Sequence, residues 1–435
     1  MYPDFYHLLK DLFGIDLPFL SLLKSFGFLV AIGFFAGGYL IYAELKRKEE
    51  DGIVGYTIDE VTTGKPASIQ EYIVAGLVGF LVGFKLFGMF LNWKVASPDP
   101  LSFVFSKEGS LLPGILISLA AIGLKFYENK KETAKGIVTK KVKTWPHIRV
   151  GDICVIAAVG GFAGAKIFNA LETWDSFVQD PLGSLLSSSG LTFYGGLIVA
   201  TFALWYYSRK IKLDFRHLCD AAAPALILAY GIGRLGCQIS GDGDWGIYNS
   251  AYITDSVGKV AVAPTRNFAD NIAPYQDYFK QHNKEEIDHK YFKGPSSLPI
   301  WLFAYNYPQN VNNVGVELPG CNDPADYCSV LPQPVFPTPV YEFVMSLVIF
   351  LFLWSIRKKM KIPLGIFSIY LILNGIERFL IEQIRVNYKY DWGFLQPTQA
   401  EILAVAISLC GVLLFLFRKK IDELSKPVPI ENQDI

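Results

Sequence analysis

Nine apolar stretches alternate with polar loops along the chain, at roughly 22–43, 71–92, 111–127, 152–171, 191–208, 217–238, 340–356, 363–385 and 398–417. Most approach the ~20 residues that carry a helix across a hydrocarbon core, and only closed hydrogen-bonding elements survive there. The predicted fold class is an all-α membrane protein, a polytopic bundle of about nine transmembrane helices with a small extracytoplasmic insert. Residues 1–238 hold six of the helices. Residues 239–339, rich in Pro, Asn, Asp and Tyr, form the insert, with room for short strands. Residues 340–420 carry the last three helices, and 421–435 a polar tail.

A repeat runs through the first six stretches. Residues 71–118 align with 152–199 at a constant offset of 81 without a gap. Val74, Val78, Gly79, Gly83, Lys85 and Phe87 match Val155, Val159, Gly160, Gly164, Lys166 and Phe168. Asp99-Pro100-Leu101 matches Asp180-Pro181-Leu182, and Gly109, Gly114, Leu116 and Ile117 match Gly190, Gly195, Leu197 and Ile198. In three helices a cation follows an acid by 14 residues: Glu71 to Lys85, Asp152 to Lys166 and Asp220 to Arg234. The acid suits a helix N-terminus. For the lysines, snorkelling to the interface competes with a functional role.

Composition agrees with the pattern: 51% of the 435 residues are hydrophobic, 18% are charged and mean hydropathy is +0.31. Net charge is zero, so no global field points to nucleic acid. Basic residues cluster in alternate loops: Lys46–Lys48, Lys130–Lys143, Arg209–Arg216, Arg357–Lys361 and Arg418–Lys420. The positive-inside rule then places the N-terminus outside, in the periplasm, and the C-terminus in the cytoplasm, with 239–339 outside. No cleavable signal peptide is apparent in residues 1–20. Cys321 and Cys328 can pair if the insert faces an oxidising compartment. Cys154, Cys219, Cys237 and Cys410 read as buried free thiols.

The chemistry centres on YGIGRLGCQISGDGDWG, residues 230–246. Arg234 near the end of an apolar helix calls for a partner, a cavity or an anionic ligand. In the eighth stretch Asn374, Arg378, Glu382 and Arg385 share one helix face. At ~1.5 Å per residue Arg378 reaches about the depth of Arg234. Tyr341 and Glu342, Thr398, Gln399 and Glu401, and Thr192, Phe193 and Tyr194 stand at the same level. Two guanidinium forks suit a phosphodiester, such as the head group of an anionic lipid. An internal Arg378–Glu382 pair explains part of this equally well. The glycines around Arg234 admit close approach of a substrate or tight helix packing. Asp242 and Asp244 alone fall short of a calcium loop. The five histidines are scattered, and neither zinc spacing nor a phosphate-binding glycine loop is present. No metal and no cofactor are expected.

These segments resemble prolipoprotein diacylglyceryl transferases. Residues 230–246 resemble the signature G-R-x-G-N-F-x-N-x-E-x-x-G; LTFYGGLIVA (191–200) resembles F-H-G-G-L-I-G, after the lead-in FVQDPLGSLLSSSG. FPTPVYE (336–342) resembles H-P-S-Q-L-Y-E, ERFLIEQIR (377–385) resembles R-F-x-x-E-x-x-R, and LQPTQAEIL (395–403) resembles T-Q-x-Q-x-L. The resemblance covers the first stretch and about 152–417, with 71–127 as an extra hairpin. It implies transfer of a diacylglyceryl group from phosphatidylglycerol to the lipobox cysteine of a prolipoprotein, in the inner membrane and against the lipid bilayer. It implies catalytic roles for Arg234, Arg378, Tyr194, Asp242 and Glu382. It implies substrate contacts from Gly195, Gly196, Gly233, Gly236, Cys237, Gly246, Tyr341, Glu342 and Gln399.

Tyr194 stands where the family has histidine, and Cys237, Gln238 and Ser240 replace Asn, Phe and Asn of the signature. Ser25-Phe26-Gly27 lacks the hydroxyl of the family's aromatic-Tyr-Gly. A tyrosine, with a reference pKa near 10, is a poorer base at neutral pH than a histidine near 6.5. Three readings follow: Tyr194 and Asp242 share the proton handling, another acceptor is used, or the chain binds lipid or lipoprotein without catalysis. A repeat-built transporter is a further alternative.

Overall fold

A computed structural model describes residues 1–96, 103–104, 106–187, 190–281, 287–321, 327–393 and 396–425. The repeat's Asp99-Pro100-Leu101, Leu395 of the last motif and tail residues 426–435 lie outside the described residues. The chain forms two compact units: Met1–Glu44 with Arg216–Ile435, and Leu45–Phe215.

In the first unit, α1 (Phe5–Phe13) precedes α2 (Ser25–Glu50), whose last turns belong to the second unit. The second unit holds α3 (Ile69–Leu81, continued through a π-helical turn to Leu91), α4 (Leu111–Thr133), α5 (Val150–Glu172) and α6 (Phe193–Lys210). The first unit then resumes with α7 (Phe215–Ser240), α8 (Thr338–Ile356), α9 (Gly365–Glu382) and α10 (Gln399–Ser425).

Helices stand at all nine expected positions. Among the described residues seven are long and apolar enough to cross a membrane. The other two, α6 and α9, are 18 residues each and carry charge: Arg209 and Lys210 end α6, and Glu377, Arg378 and Glu382 fall in the last turns of α9. The ninefold count therefore does not follow from length and apolarity. Arg385 lies past the end of α9, so the expected helix to 385 stops three residues early.

In the second unit the sequence repeat is also a structural one. Ser68 caps α3 in a box with Glu71. A Cβ on Gly83 would stand 2.3 Å from the Pro113 carbonyl oxygen on α4; one on Gly164 would stand 2.4 Å from that of Gly195 on α6. Only glycine permits either approach. Lys85 Nζ donates to the carbonyls of Phe103, Ser106 and Glu108 at 3.1, 2.6 and 2.6 Å. Lys166 Nζ donates to Ser184 O and Ser187 O at 3.2 and 2.7 Å. Phe103 and Ser106 are the repeat equivalents of Ser184 and Ser187. Snorkelling is thus replaced by caging: each ammonium folds onto its own hairpin loop and donates to its carbonyls.

One sheet was not expected from the sequence. β1 (Thr57–Thr63) pairs antiparallel with β2 (Val138–Thr144), so the loops after α2 and α4 form one ribbon.

In the first unit, a Cβ on Gly33 would lie 3.1 Å from Ala229 O, drawing α2 against α7; one on Gly375 would lie 2.5 Å from Ala404 O, drawing α9 against α10. Asp220 on α7 accepts from Phe367 N at 2.9 Å and so caps the start of α9. The insert carries paired short strands: β3 (Tyr248–Asn249) with β6 (His289–Lys290), β4 (Tyr252–Thr254) with β5 (Val260–Val262), and β7 (Val316–Glu317) with β8 (Ser329–Val330). Tyr248, Ile272, Phe279, Tyr307, Leu331 and Val335 make its core. Cys321 and Cys328 form a disulfide. The other four cysteines form no disulfide, and of these only Cys237 is buried. Cys410 is exposed on α10, where an apolar surface faces outward instead of into protein.

Candidate active site

The end of α7, the loop that follows it, the start of α8 and the end of α9 meet in a network of ion pairs. Glu342, in the first turns of α8, has no exposed surface and lies at its centre. Its Oε1 accepts from the Tyr230 hydroxyl at 2.9 Å. Arg234 Nε lies 3.4 Å from Oε2, and Arg385 Nη1 and Arg378 Nη1 lie 3.6 and 3.8 Å from Oε1. The two arginines expected to converge thus flank one carboxylate.

The outer ring completes the pairing. Arg234 also pairs with Asp244 Oδ2, and Arg385 Nη2 holds Asp244 Oδ1 at 2.8 Å. Burial raises the Asp244 carboxyl, but Arg234 and Arg385 outweigh it and hold the group below the usual carboxylate range. Arg378 Nη2 pairs with Glu382 Oε2 at 3.0 Å. Glu382 Oε1 accepts from Thr398 Oγ1 at 2.7 Å and Asn387 Nδ2 at 2.6 Å. Three guanidinium groups and three carboxylates therefore form a balanced set. Each of Arg234 and Arg378 keeps an open side, with 20% and 28% of the side chain exposed.

Backbone contacts aim the loop. Thr338 Oγ1 donates to Asp244 O at 2.8 Å, Gly246 N to Phe336 O at 2.9 Å and Ile247 N to Ile384 O at 2.8 Å. A Cβ on Gly246 would stand 2.5 Å from Ile384 O, so this glycine seats the loop. Gly236 packs against Phe26 and Leu29 of α2, whereas a Cβ on Gly233 would meet open space. Tyr341 points away from the network and donates to Leu302 O in the insert at 2.6 Å. Gln399 is exposed, whereas its neighbour Thr398 is buried and donates to Glu382 Oε1.

Of the two aspartates in the loop after α7, Asp244 and not Asp242 pairs with Arg234. Asp242 Oδ1 accepts from Asp244 N at 3.4 Å, and burial, with the Asp244 charge beside it, raises its carboxyl above the usual range. The Cys237 thiol donates toward Asp244 Oδ2 at 3.7 Å. Cys237, Asp242 and Asp244 bring possible metal-ligand atoms within 4.8 Å of one another. Two guanidinium groups already neutralise Asp244, which leaves this set little negative charge for a cation.

Tyr194, Gly195 and Gly196 belong to the second unit. Tyr194 is exposed at the start of α6. A Cβ on Gly195 would lie 2.3 Å from Phe168 Cβ, and one on Gly196 would lie 2.8 Å from Gly161 O, so both serve the α5–α6 contact. Asp244, Arg385 and Thr398 were not among the residues given a role by the resemblance, although Arg385 and Thr398 were expected at the converging level. Their signals were the second acid of GDGDW, the seven-residue step from Arg378 and the residue before Gln399. Beside the network an open cavity of about 220 Å³ reaches Glu382 and Arg385, walled on its outer side by His289, Lys290 and Lys389.

Fold and centre together define a polytopic α-helical membrane protein. It concentrates half-buried arginines where its helices meet the segment 239–339. The prolipoprotein diacylglyceryl transferase family model matches residues 113–417, well over half of the chain, and the protein belongs to that family. Three proteins, each named phosphatidylglycerol–prolipoprotein diacylglyceryl transferase, illustrate its range. The one from Dehalococcoides mccartyi is 25% identical over 325 residues, 74% of this chain and 94% of that protein. One from Leptospira interrogans is 26% identical over 262 residues, 54% of this chain and 61% of that protein. One from Chlorobaculum tepidum is 25% identical over 293 residues, 64% and 76% of the two chains.

Proposed function

We propose that this protein is an inner-membrane enzyme that transfers the diacylglyceryl group of phosphatidylglycerol to the lipobox cysteine thiol of prolipoproteins. Its N-terminus is periplasmic and its C-terminus cytoplasmic. The carrying observation is the pair Arg234 and Arg378, which share the fully buried Glu342 and keep an open side each. Those open sides receive the phosphodiester oxygens of the lipid. The thiolate sulfur attacks the diacylglyceryl carbon bonded to the phosphate. A C–S bond forms, the C–O bond breaks, and glycerol phosphate leaves with the electron pair. The guanidinium groups neutralise charge as it develops on that phosphate.

Glu382, held by Thr398 and Asn387, orients Arg378. Asp242, with its carboxyl raised by burial, accepts the thiol proton, since the thiolate is the nucleophile. Tyr194 is the second expected proton-handling group, and Tyr194→Phe with a pH–rate profile tests its share.

Complementation tests the whole reading. In a strain depleted of its own transferase, the intact protein restores lipoprotein modification. Arg234→Ala and Arg378→Ala each lower transfer about 10²–10³-fold, as for loss of one transition-state donor. Absence of rescue by the intact, membrane-inserted protein rejects the lipobox acceptor.

A further inference from the structure

Glu377 is a buried carboxylate beside the network that makes none of its ion pairs. It sits in the last turns of α9, 3% exposed, and its Oε1 is sealed without a hydrogen-bond partner. The three arginines are already matched by Asp244, Glu342 and Glu382. Its sequence neighbour Arg378 offers no direct pair, because adjacent helix residues point about 100° apart. The groups that act on it electrostatically are Glu342 on α8, Tyr230 and Arg234 on α7, Tyr370 and Arg378 on α9, and Arg385 beyond it. On α10, Glu401 faces the same end of α9 and is held by Gln383 at 2.5 Å. A fourth carboxylate here would be an unpaired buried charge, which costs far more than an unpaired buried acid.

We propose that Glu377 is carried as the uncharged acid, and that this positioning residue keeps the three-on-three set balanced so that one anionic phosphodiester can enter. Ionisation of Glu377 releases its proton to solvent and places a new negative charge behind Arg234 and Arg378. The consequence is an alkaline limit on lipid binding that is separate from the chemistry of the thiol. This inference rests on the phosphatidylglycerol reading of the site.

The test uses the full-length protein in mixed micelles with phosphatidylglycerol and a lipobox peptide, between about pH 6 and about pH 10. The wild-type KM for the lipid is expected to rise about tenfold on the alkaline side, the effect of a unit charge roughly 12 Å away at an effective dielectric of about 20. In Glu377→Gln that rise disappears, while the kcat limb set by the peptide thiol stays. Coincident KM profiles overturn the proposal, and so does a KM raised at every pH in Glu377→Gln. If Glu377→Gln does not fold, a protonated-acid carboxyl stretch that shifts in frequency between the wild type and Glu377→Asp, read by infrared spectroscopy, decides the matter. Absence at neutral pH of any such band that shifts overturns the proposal, and its presence supports it. If the wild type transfers nothing at any pH, the transferase reading fails, and the infrared band still decides the state of Glu377.

Discussion

Glu342 shows how one side chain can organise a polar centre. A carboxylate fully removed from water is costly alone, and here three guanidinium groups and a tyrosine hydroxyl answer it. Glu342→Gln leaves the arginines without their common partner, and about 3–5 kcal/mol of stability should go with it. The melting temperature of purified protein in detergent measures this. Asp244 adds a pH dependence. Its carboxyl is depressed in the fold, so its pairing is complete above the ordinary aspartate range, near pH 4, and is lost as pH falls through the depressed value. Asp244→Asn should therefore be less stable than wild type at neutral pH. The expected loss is about 1–3 kcal/mol, modest because a third of the side chain is exposed. The difference should shrink toward zero in acid; a constant gap from neutral to acid would contradict the assignment.

Among the elements, the two hairpins of the second unit solve one problem twice. A helix that turns back within the bilayer must satisfy the carbonyls of its loop, and Lys85 and Lys166 do so from equivalent positions. Lys166→Met should expose the carbonyls of Ser184 and Ser187 at about 1–3 kcal/mol, and limited proteolysis should then cut near 181–187 sooner than in wild type. Gly164→Val puts a side chain into the Gly195 backbone and should cost about 1–3 kcal/mol through separation of α5 and α6. Thermal unfolding of the variant measures that cost. Protection of the loop carbonyls by Lys166 was readable from the 81-residue repeat only as a basic residue at a fixed place. Which carbonyls it meets depends on the loop's path, and spacing does not encode that.

At the scale of the molecule, the insert has its own core and a disulfide that closes a short loop. Removal of the Cys321–Cys328 link should destabilise the insert by about 2–3 kcal/mol, the loop-entropy value for a separation of 7. Calorimetry with and without reductant checks this, and the membrane helices should be unaffected. The insert also bears on the centre: β6 supplies His289 and Lys290 to the cavity wall beside Arg385.

Apolar spacing determined where the seven helices form that are, among the described residues, long and apolar enough to cross a membrane, because a helix in lipid needs little besides length and apolarity. The repeat and the motif arginines Arg234 and Arg378 were also legible, since each is a local string. Tertiary structure alone decided the pairing. Asp244 rather than Asp242 meets Arg234 because the turn after α7 is pinned at Thr338 and Ile384, residues about a hundred or more positions away. Arg385 enters the network only because the chain leaves the helix at Glu382 and pairs with Gly246. Glu377 is an ordinary acid in the sequence and becomes exceptional only when every nearby arginine is already taken. Burial and charge matching are sums over the neighbours in space, and neighbours in sequence do not supply them.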